Sequence, residues 1–437
     1  MIPTPSKDDT LDFIAKGYDF GKGVWERARS LGSPKVAPMK LLGTDSVLVR
    51  GEEGIKLYYN EELIDRQGAM PGLIGEPLFG HGSVHSMDGE AHRRRKNTFV
   101  QAAYVDEQVE RLTPYFEREW TRERDEWIAG GTRSAYDAAV GALGRGIQRW
   151  AGLPGTADAK TRFAARLAQI VDGFGAVVEP AYVLAWANRK WCDQHAAELI
   201  EAVRAGTLEA REGTALHAWA WHRELDGELL DARLAGIELQ NILRPTIAVA
   251  RFVAFAAKEL EARPEWRARI AQESAERGGV LVGGPLAVAF AQEVRRTAPF
   301  VPMLPGLAKR DIEFAGETIP AGTRVFIDIQ GTNHDPAAWD DAEAFNPERF
   351  LGHEDYEALT SFVPQGGGEV PTGHRCPGEK VAIAGLSAAI TAMSDPRLAI
   401  LPEGLEVNRR RFPTKPSSGG RLRSIAKQAG VGCPVEH

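Results

Sequence analysis

The chain has 437 residues, 43% of them apolar, with 53 Lys and Arg against 60 Asp and Glu for a formal net charge of −7. That balance excludes a general nucleic-acid binder, and the apolar fraction is enough for a large core. Three cysteines, Cys192, Cys376 and Cys433, are far apart and odd in number, which implies no disulfide framework and fits a reducing compartment.

The first residues lack the basic and apolar regions of a secretory leader, and no run approaches the ~20 apolar residues of a membrane span. A cytoplasmic protein without a span is expected. Helical periodicity dominates and predicts helices over 90–101, 107–129, 135–151, 159–173, 184–205, 232–262 and 286–297, with a last one starting near Gly378. Strand signals are short: Leu41–Arg50, Ile312–Phe326 with turns at Gly316 and Gly322, and pieces after Pro396. The stretch from Asn333 to Gly373 is loop-rich and long, as segments that surround a site are. The fold expected is mainly α: one large helical domain over 1–437 with a minor β region and a long buried central helix.

That central helix is 232–262, which at ~1.5 Å per residue would be ~46 Å long. Its middle, from Ile242 to Ala257, is apolar on nearly every face, as buried helices are. Yet Arg244 and Pro245 stand at its centre. Pro245 cannot donate to the carbonyl of Asn241 and should open the helix there. A buried Arg244 needs an anionic partner. Two are open: an internal ion pair with Glu238, or the carboxylate of a bound substrate gripped by the guanidinium.

The segment from Phe362 to Glu379 places Cys376 in a glycine-rich loop, beside Arg375 and just before a helix N-terminus. Positive charge and helix N–H groups lower a thiol's pKa. A single thiolate in a tight loop suits haem iron, which takes one axial protein ligand. A zinc site at His374 and Cys376 is not expected, because no second Cys/His pair has suitable spacing. Cys192, beside Trp191, reads as core, Cys433 as incidental and His81 as a loop histidine.

Two further motifs accompany the cysteine loop. Glu293-Val-Arg-Arg296 carries acid and base at i, i+3 on one helix face, and Pro347-Glu348-Arg349-Phe350 follows. Together with the Cys376 loop, in this order, they resemble the cytochromes P450 along essentially the whole chain. Glu293, Arg296 and Arg349 are then the structural pair and its partner, and Cys376 is the axial ligand of haem b. The run Pro364-Gln365-Gly366-Gly367-Gly368, followed by Gly373-His374-Arg375-Cys376, resembles the fatty-acid peroxygenase branch. His374 takes the place of the usual Arg or His two residues before the cysteine, and the loop is longer than in most P450s.

The central helix has Arg244-Pro245 where monooxygenases carry an acid–alcohol pair for protonating bound dioxygen. In the branch it resembles, the arginine binds the fatty-acid carboxylate, which serves as acid–base for hydrogen peroxide, so no obligatory redox partner is expected. Pro245 shapes the oxygen-side cavity and Phe79 forms a pocket wall. By the same resemblance, Arg66, His92, Lys96, Gln365, His374 and Arg375 contact the cofactor. His92 and Lys96 share a helix face at i, i+4. His85 faces the haem on the substrate side, where the branch carries Gln in hydroxylases and His in the alkene-forming decarboxylase. The resemblance therefore implies oxidation of medium- to long-chain fatty acids, by decarboxylation to terminal alkenes, by α/β-hydroxylation, or both. Thr297-Ala298-Pro299 is expected to reshape the pocket. The alternatives are a redox-partner-dependent monooxygenase and a non-catalytic haem-binding protein.

Overall fold

The computed structural model describes residues 7–33, 35–177, 179–353 and 355–425; Cys433 lies outside them. The first helices are α1 (Thr10–Lys16), α2 (Phe20–Ser30), α3 (Gly51–Tyr58), α4 (Gly72–Phe79) and α5 (Gly89–Ala103). The helical body follows with α6 (Asp106–Ile128), α7 (Ala135–Trp150), α8 (Ala157–Asp172), α9 (Pro180–Arg204), α10 (Ala215–Ala220), α11 (Ala232–Ala248), α12 (Ala250–Ala262), α13 (Pro264–Glu276) and α14 (Pro285–Thr297). Short α15 (Ile329–Asn333) and long α16 (Glu379–Met393) complete it.

The strands are β1 (Ala37–Leu41), β2 (Thr44–Val49), β3 (Ile64–Asp65), β4 (Met303–Ala308), β5 (Ile312–Phe314), β6 (Glu317–Ile319), β7 (Arg324–Asp328), β8 (Leu398–Ile400) and β9 (Leu422–Ser424). They form a sheet of order β1-β2-β7-β4-β3 and two hairpin-like pairs, β5-β6 and β8-β9. Only β2 and β7 run parallel, with Val47 opposite Val325 and Leu48 opposite Phe326. Both faces of that pair are covered, so Val47, Leu48, Val49, Val325 and Ile327 are buried.

Local chemistry starts the helices where the sequence places them. Ser134 caps α7 by accepting from the Asp137 N–H, and Asp231 caps α11 by accepting from Arg233 and Leu234. Proline opens α9, α13 and α14, where its missing N–H costs nothing.

The predicted 232–262 helix is two helices. Pro245 does lie inside α11, but the interruption falls four residues later, at Val249. Val249 N–H donates to the Thr246 carbonyl at 3.3 Å, an i−3 bond that tightens the last turn. α11 and α12 remain buried along most of their length and cross the helical core with α7 and α16. Gly236 lets α11 approach α9 closely, because a Cβ there would lie 2.8 Å from the Ala196 backbone. The expected loop-rich stretch contains 3-10 turns at Pro347–Phe350 and Tyr356–Ala358.

Candidate active site

Beneath α11 lies a cavity of about 680 Å³. Cys376 lines one wall, Arg244 and Pro245 line another, and His85 and Phe79 also face it. Thr297, Ala298 and Pro299 do not line it; Phe300 and Val301, just after them, do.

The cysteine loop is shaped by its glycines and by buried charge. Gly366 and Gly368 have φ of +96° and +76°, a region open to glycine. A Cβ on Gly366, Gly367 or Gly368 would come within 3.1 Å of Tyr59, so the run can lie flat on that ring only as glycine. The Cys376 N–H then donates to the Gln365 carbonyl at 3.2 Å. Glu379, at the start of α16 and 1% exposed, accepts from Arg375 Nε at 2.8 Å and from Arg295 on its other oxygen. Arg295 also reaches Gln365 Oε1 at 3.0 Å, and the Gln365 amide nitrogen stands 3.8 Å from the Cys376 sulfur.

The expected lowering of the Cys376 thiol does not appear. Burial is the largest influence and pushes it up, with Glu379 adding, while Lys96 and Arg295 pull only partly the other way. The sequence showed Arg375 beside the thiol, but the fold neutralises it against Glu379. Ionisation at Sγ therefore depends on a metal, whose charge deprotonates a coordinated thiol outright.

The cofactor candidates gather at the cavity with different partners. Lys96 donates to the Arg375 carbonyl and so braces the cysteine loop; burial pulls its pKa down to about 8. Arg375 turns to Glu379 and to the Glu357 carbonyl. His92 and His374 stack at 4.0 Å, and His374 Nε2 lies 3.3 Å from Asp88. Burial, followed by neighbouring cations, drives both imidazoles to about 3. The Arg66 guanidinium lies over the Tyr58 ring at 3.8 Å. Its Nη2 and the Nδ1 of His92 are buried without a partner. A cavity with one sulfur, an unsatisfied Arg66 cation and an unsatisfied His92 nitrogen fits an anionic metal macrocycle, and haem is such a group.

Glu293, Arg296 and Arg349 converge as expected. Arg296 grips both oxygens of Glu293 at 2.7 Å, and Arg349 reaches the same carboxylate at 3.3 Å. Arg296 also donates to the carbonyls of Asn333, Ala342 and Ala344, tying down the long loop.

Arg244 is 2% exposed. The internal pair with Glu238 does not form: Glu238 is taken by Arg95, Asn241 and the Val84 N–H. Arg244 Nη2 donates to Asn241 Oδ1 at 2.6 Å, and its Nη1 is buried with no partner. Burial, with the Arg189 cation second, pulls the guanidinium down to about 9, so it remains charged at neutral pH. Thr246, the only hydroxyl beside Pro245, donates to the Ile242 carbonyl at 3.0 Å.

His85 stacks on Phe79 at 4.2 Å. Its open surface faces the cavity, and burial, then the Arg244 cation, pushes its pKa well below the usual histidine range. It is a neutral imidazole at pH 7. His81 is exposed and pairs with Glu76 at 3.0 Å, and Cys192 is fully buried.

Sequence reasoning missed Asn241, Arg295 and the fixing role of Glu379. Arg295 was visible beside Arg296, but one helical step of ~100° turns it from the Glu293 network to the cysteine loop.

Comparison with known proteins gives this geometry its class. The family model "Cytochrome P450" matches residues 284–393, from the start of α14 to the end of α16. A structure of a P450SP alpha (CYP152B1) variant is 33% identical, covers 96% of this chain and 98% of that one, and has a TM-score of 0.86. A variant of cytochrome P450 OleT in complex with arachidonic acid is 30% identical, with 97% and 98% covered and a TM-score of 0.87. Among curated proteins, tabersonine/lochnericine 19-hydroxylase of Catharanthus roseus is 38% identical over 98 residues, 22% of this chain and 18% of that protein. The chain belongs to the cytochromes P450. Within them it falls in the fatty-acid peroxygenase branch, with P450SP alpha and OleT. Among the described residues no helix is long and apolar enough to cross a membrane.

Proposed function

We propose that this protein, as one domain over residues 1–437, is a haem-thiolate peroxygenase that uses hydrogen peroxide to oxidise medium- to long-chain fatty acids. Its products are terminal alkenes by decarboxylation and α- or β-hydroxy acids. Its place is the cytoplasm, and no redox partner is obligatory. The observation that carries this is Arg244, a charged side chain lining a largely apolar cavity, whose Nη1 is buried without a partner while the nearby internal acids Glu238 and Asp193 are already committed to other residues.

Cys376 would hold haem by its sulfur, and Arg66 and His92 would meet the carboxylates at its edge. When bound, thiolate-ligated haem supplies peroxide activation and hydrogen-atom abstraction. The chain's own residues do the rest. Arg244 receives the substrate carboxylate in bidentate fashion and holds the chain's Cα and Cβ in place. That carboxylate, fixed beside peroxide, takes its proton in place of the missing side-chain acid–base. Pro245 presents no N–H to that side of the cavity. His85, neutral and held against Phe79, biases the substrate radical between gaining oxygen and losing CO2.

Support for fatty acids also comes from the arachidonic acid held by the OleT neighbour. The test is gas chromatography–mass spectrometry after incubation with a saturated fatty acid and hydrogen peroxide, without any reductase. A terminal alkene one carbon shorter, with or without hydroxy acids, supports the proposal. No product with peroxide, but turnover with a ferredoxin system, would replace it by a conventional monooxygenase.

A further inference from the structure

The buried carboxylate of Glu238 touches neither the cavity's reacting end nor any substrate, yet it joins the two groups on which the proposed reaction depends. It is 0% exposed and sits on α11 six residues, nearly two turns, before Arg244. Its Oε2 accepts from Asn241 Nδ2 at 2.8 Å, and Asn241 Oδ1 accepts from Arg244 at 2.6 Å. Its Oε1 accepts from the Val84 N–H at 2.8 Å, immediately before His85. Arg95 reaches the same oxygen at 3.2 Å and also binds the Gly82 carbonyl at 2.7 Å. Asn241 Nδ2 adds a bond to the Phe79 carbonyl at 3.2 Å.

One carboxylate thus decides the orientation of an amide, and through it of a guanidinium. Because both Glu238 oxygens accept, Asn241 must turn its NH2 toward Glu238 and its oxygen toward Arg244. The same carboxylate fixes the backbone of the turn that carries His85, and the loop from Phe79 to Val84 rests on α11 beside it. Gly80, at φ +86°, makes that close approach possible, since a Cβ there would meet Ile237 at 2.6 Å.

We propose that Glu238 is a positioning residue that holds Arg244 and the His85 turn in register, so that one side chain governs both fatty-acid affinity and the partition between decarboxylation and hydroxylation. This rests on the fatty-acid reading above. Glu238→Gln keeps the volume but supplies one acceptor and one donor. Whichever way the new amide lies, it either forces Asn241 to flip, setting NH2 against the guanidinium, or loses the Val84 bond.

Three folded variants test it, with circular dichroism and thermal midpoints checking the fold. Affinity is read by titration calorimetry with myristic acid, and product partition by mass spectrometry at saturating substrate and peroxide. Asn241→Ala cuts the arm to Arg244 together with the bond to the Phe79 carbonyl, leaves the Val84 and Arg95 bonds to Glu238, and is expected to weaken binding about tenfold with a smaller change in partition. Val84→Pro removes the N–H and exchanges the buried, cavity-lining valine for an apolar ring, at a site whose preceding residue is already extended, as proline requires. It is expected to shift the partition while binding stays within about twofold. Glu238→Gln is expected to move both. A folded Glu238→Gln with wild-type affinity and partition overturns the proposal; if that variant does not fold, unchanged partition in Val84→Pro and unchanged affinity in Asn241→Ala overturn it. A wild-type protein that binds myristic acid without peroxide turnover would refute the peroxygenase reading instead, leaving the affinity arm to be judged by Asn241→Ala.

Discussion

Arg244 donates to the side chain of Asn241 at 2.6 Å and leaves its second terminal nitrogen buried and unpaired. A buried charge with an unsatisfied donor destabilises a fold, and here the α11 sequence carries one at its centre. Arg244→Leu removes that charge with little change of volume. It is expected to unfold at higher urea, by about 1–3 kcal/mol, because apolar replacements of poorly paired buried charges stabilise. The same variant should lose about 10²-fold or more in kcat/KM for fatty acids, since a carboxylate clamp supplies positioning. A variant that is less stable and still active would contradict the assigned role.

His85 gives a pH signature. Its pKa is pushed below the usual histidine range, so the folded chain binds fewer protons than the unfolded chain once pH falls below about 6.5. The unfolded state is then favoured by acid, and this contribution to stability is lost as pH drops. His85→Gln lacks the titration. Urea midpoints of the two proteins should diverge in the variant's favour between about pH 7 and about pH 5.5. The variant's products should also contain less alkene and more hydroxy acid, read at constant substrate.

Glu293 accepts from Arg296, from Arg349 and from the Asn346 N–H. Glu293→Gln puts an NH2 group against two guanidinium ions. Breaking one side of a buried ion pair costs about 3–5 kcal/mol, so the variant is expected to unfold in milder denaturant and to be purified with less than one haem per chain. Absorbance against protein concentration measures the second effect.

Gln365 points its amide nitrogen at the Cys376 sulfur from 3.8 Å. Donors near a thiolate draw charge from it and raise the potential of the metal it binds. Gln365→Leu is expected to lower the haem reduction potential by tens of millivolts, roughly, with the cofactor retained. Spectroelectrochemical titration of both proteins decides it.

Much of the fold could be read directly because its signals are local. Helical periodicity marks α5 to α9 and α14 within a few residues, since an apolar stripe must face a core wherever that core lies. The eight-residue helices α3 and α4 were not visible in that way, nor was α13, which buries only Trp266 and Ile270. The break in the central helix was expected at Pro245 and falls at Val249, where the N–H turns to the Thr246 carbonyl, an i−3 bond tighter than the i−4 helix ladder.

The chain's order of residues alone determined that a lone cysteine stands in a glycine-rich loop before a helix, and that an arginine–proline pair stands in the middle of an apolar helix. Both follow from residue type and spacing, which do not depend on tertiary contacts. Only the tertiary structure decided which charges are free. It gave Glu238 to Arg95, Asn241 and Val84, leaving Arg244 under-satisfied, and it turned Arg375 away from the thiol to Glu379. The physical reason is that a buried charge is defined by its partners, and those partners come from segments as much as 154 residues away, as Val84 does for Glu238.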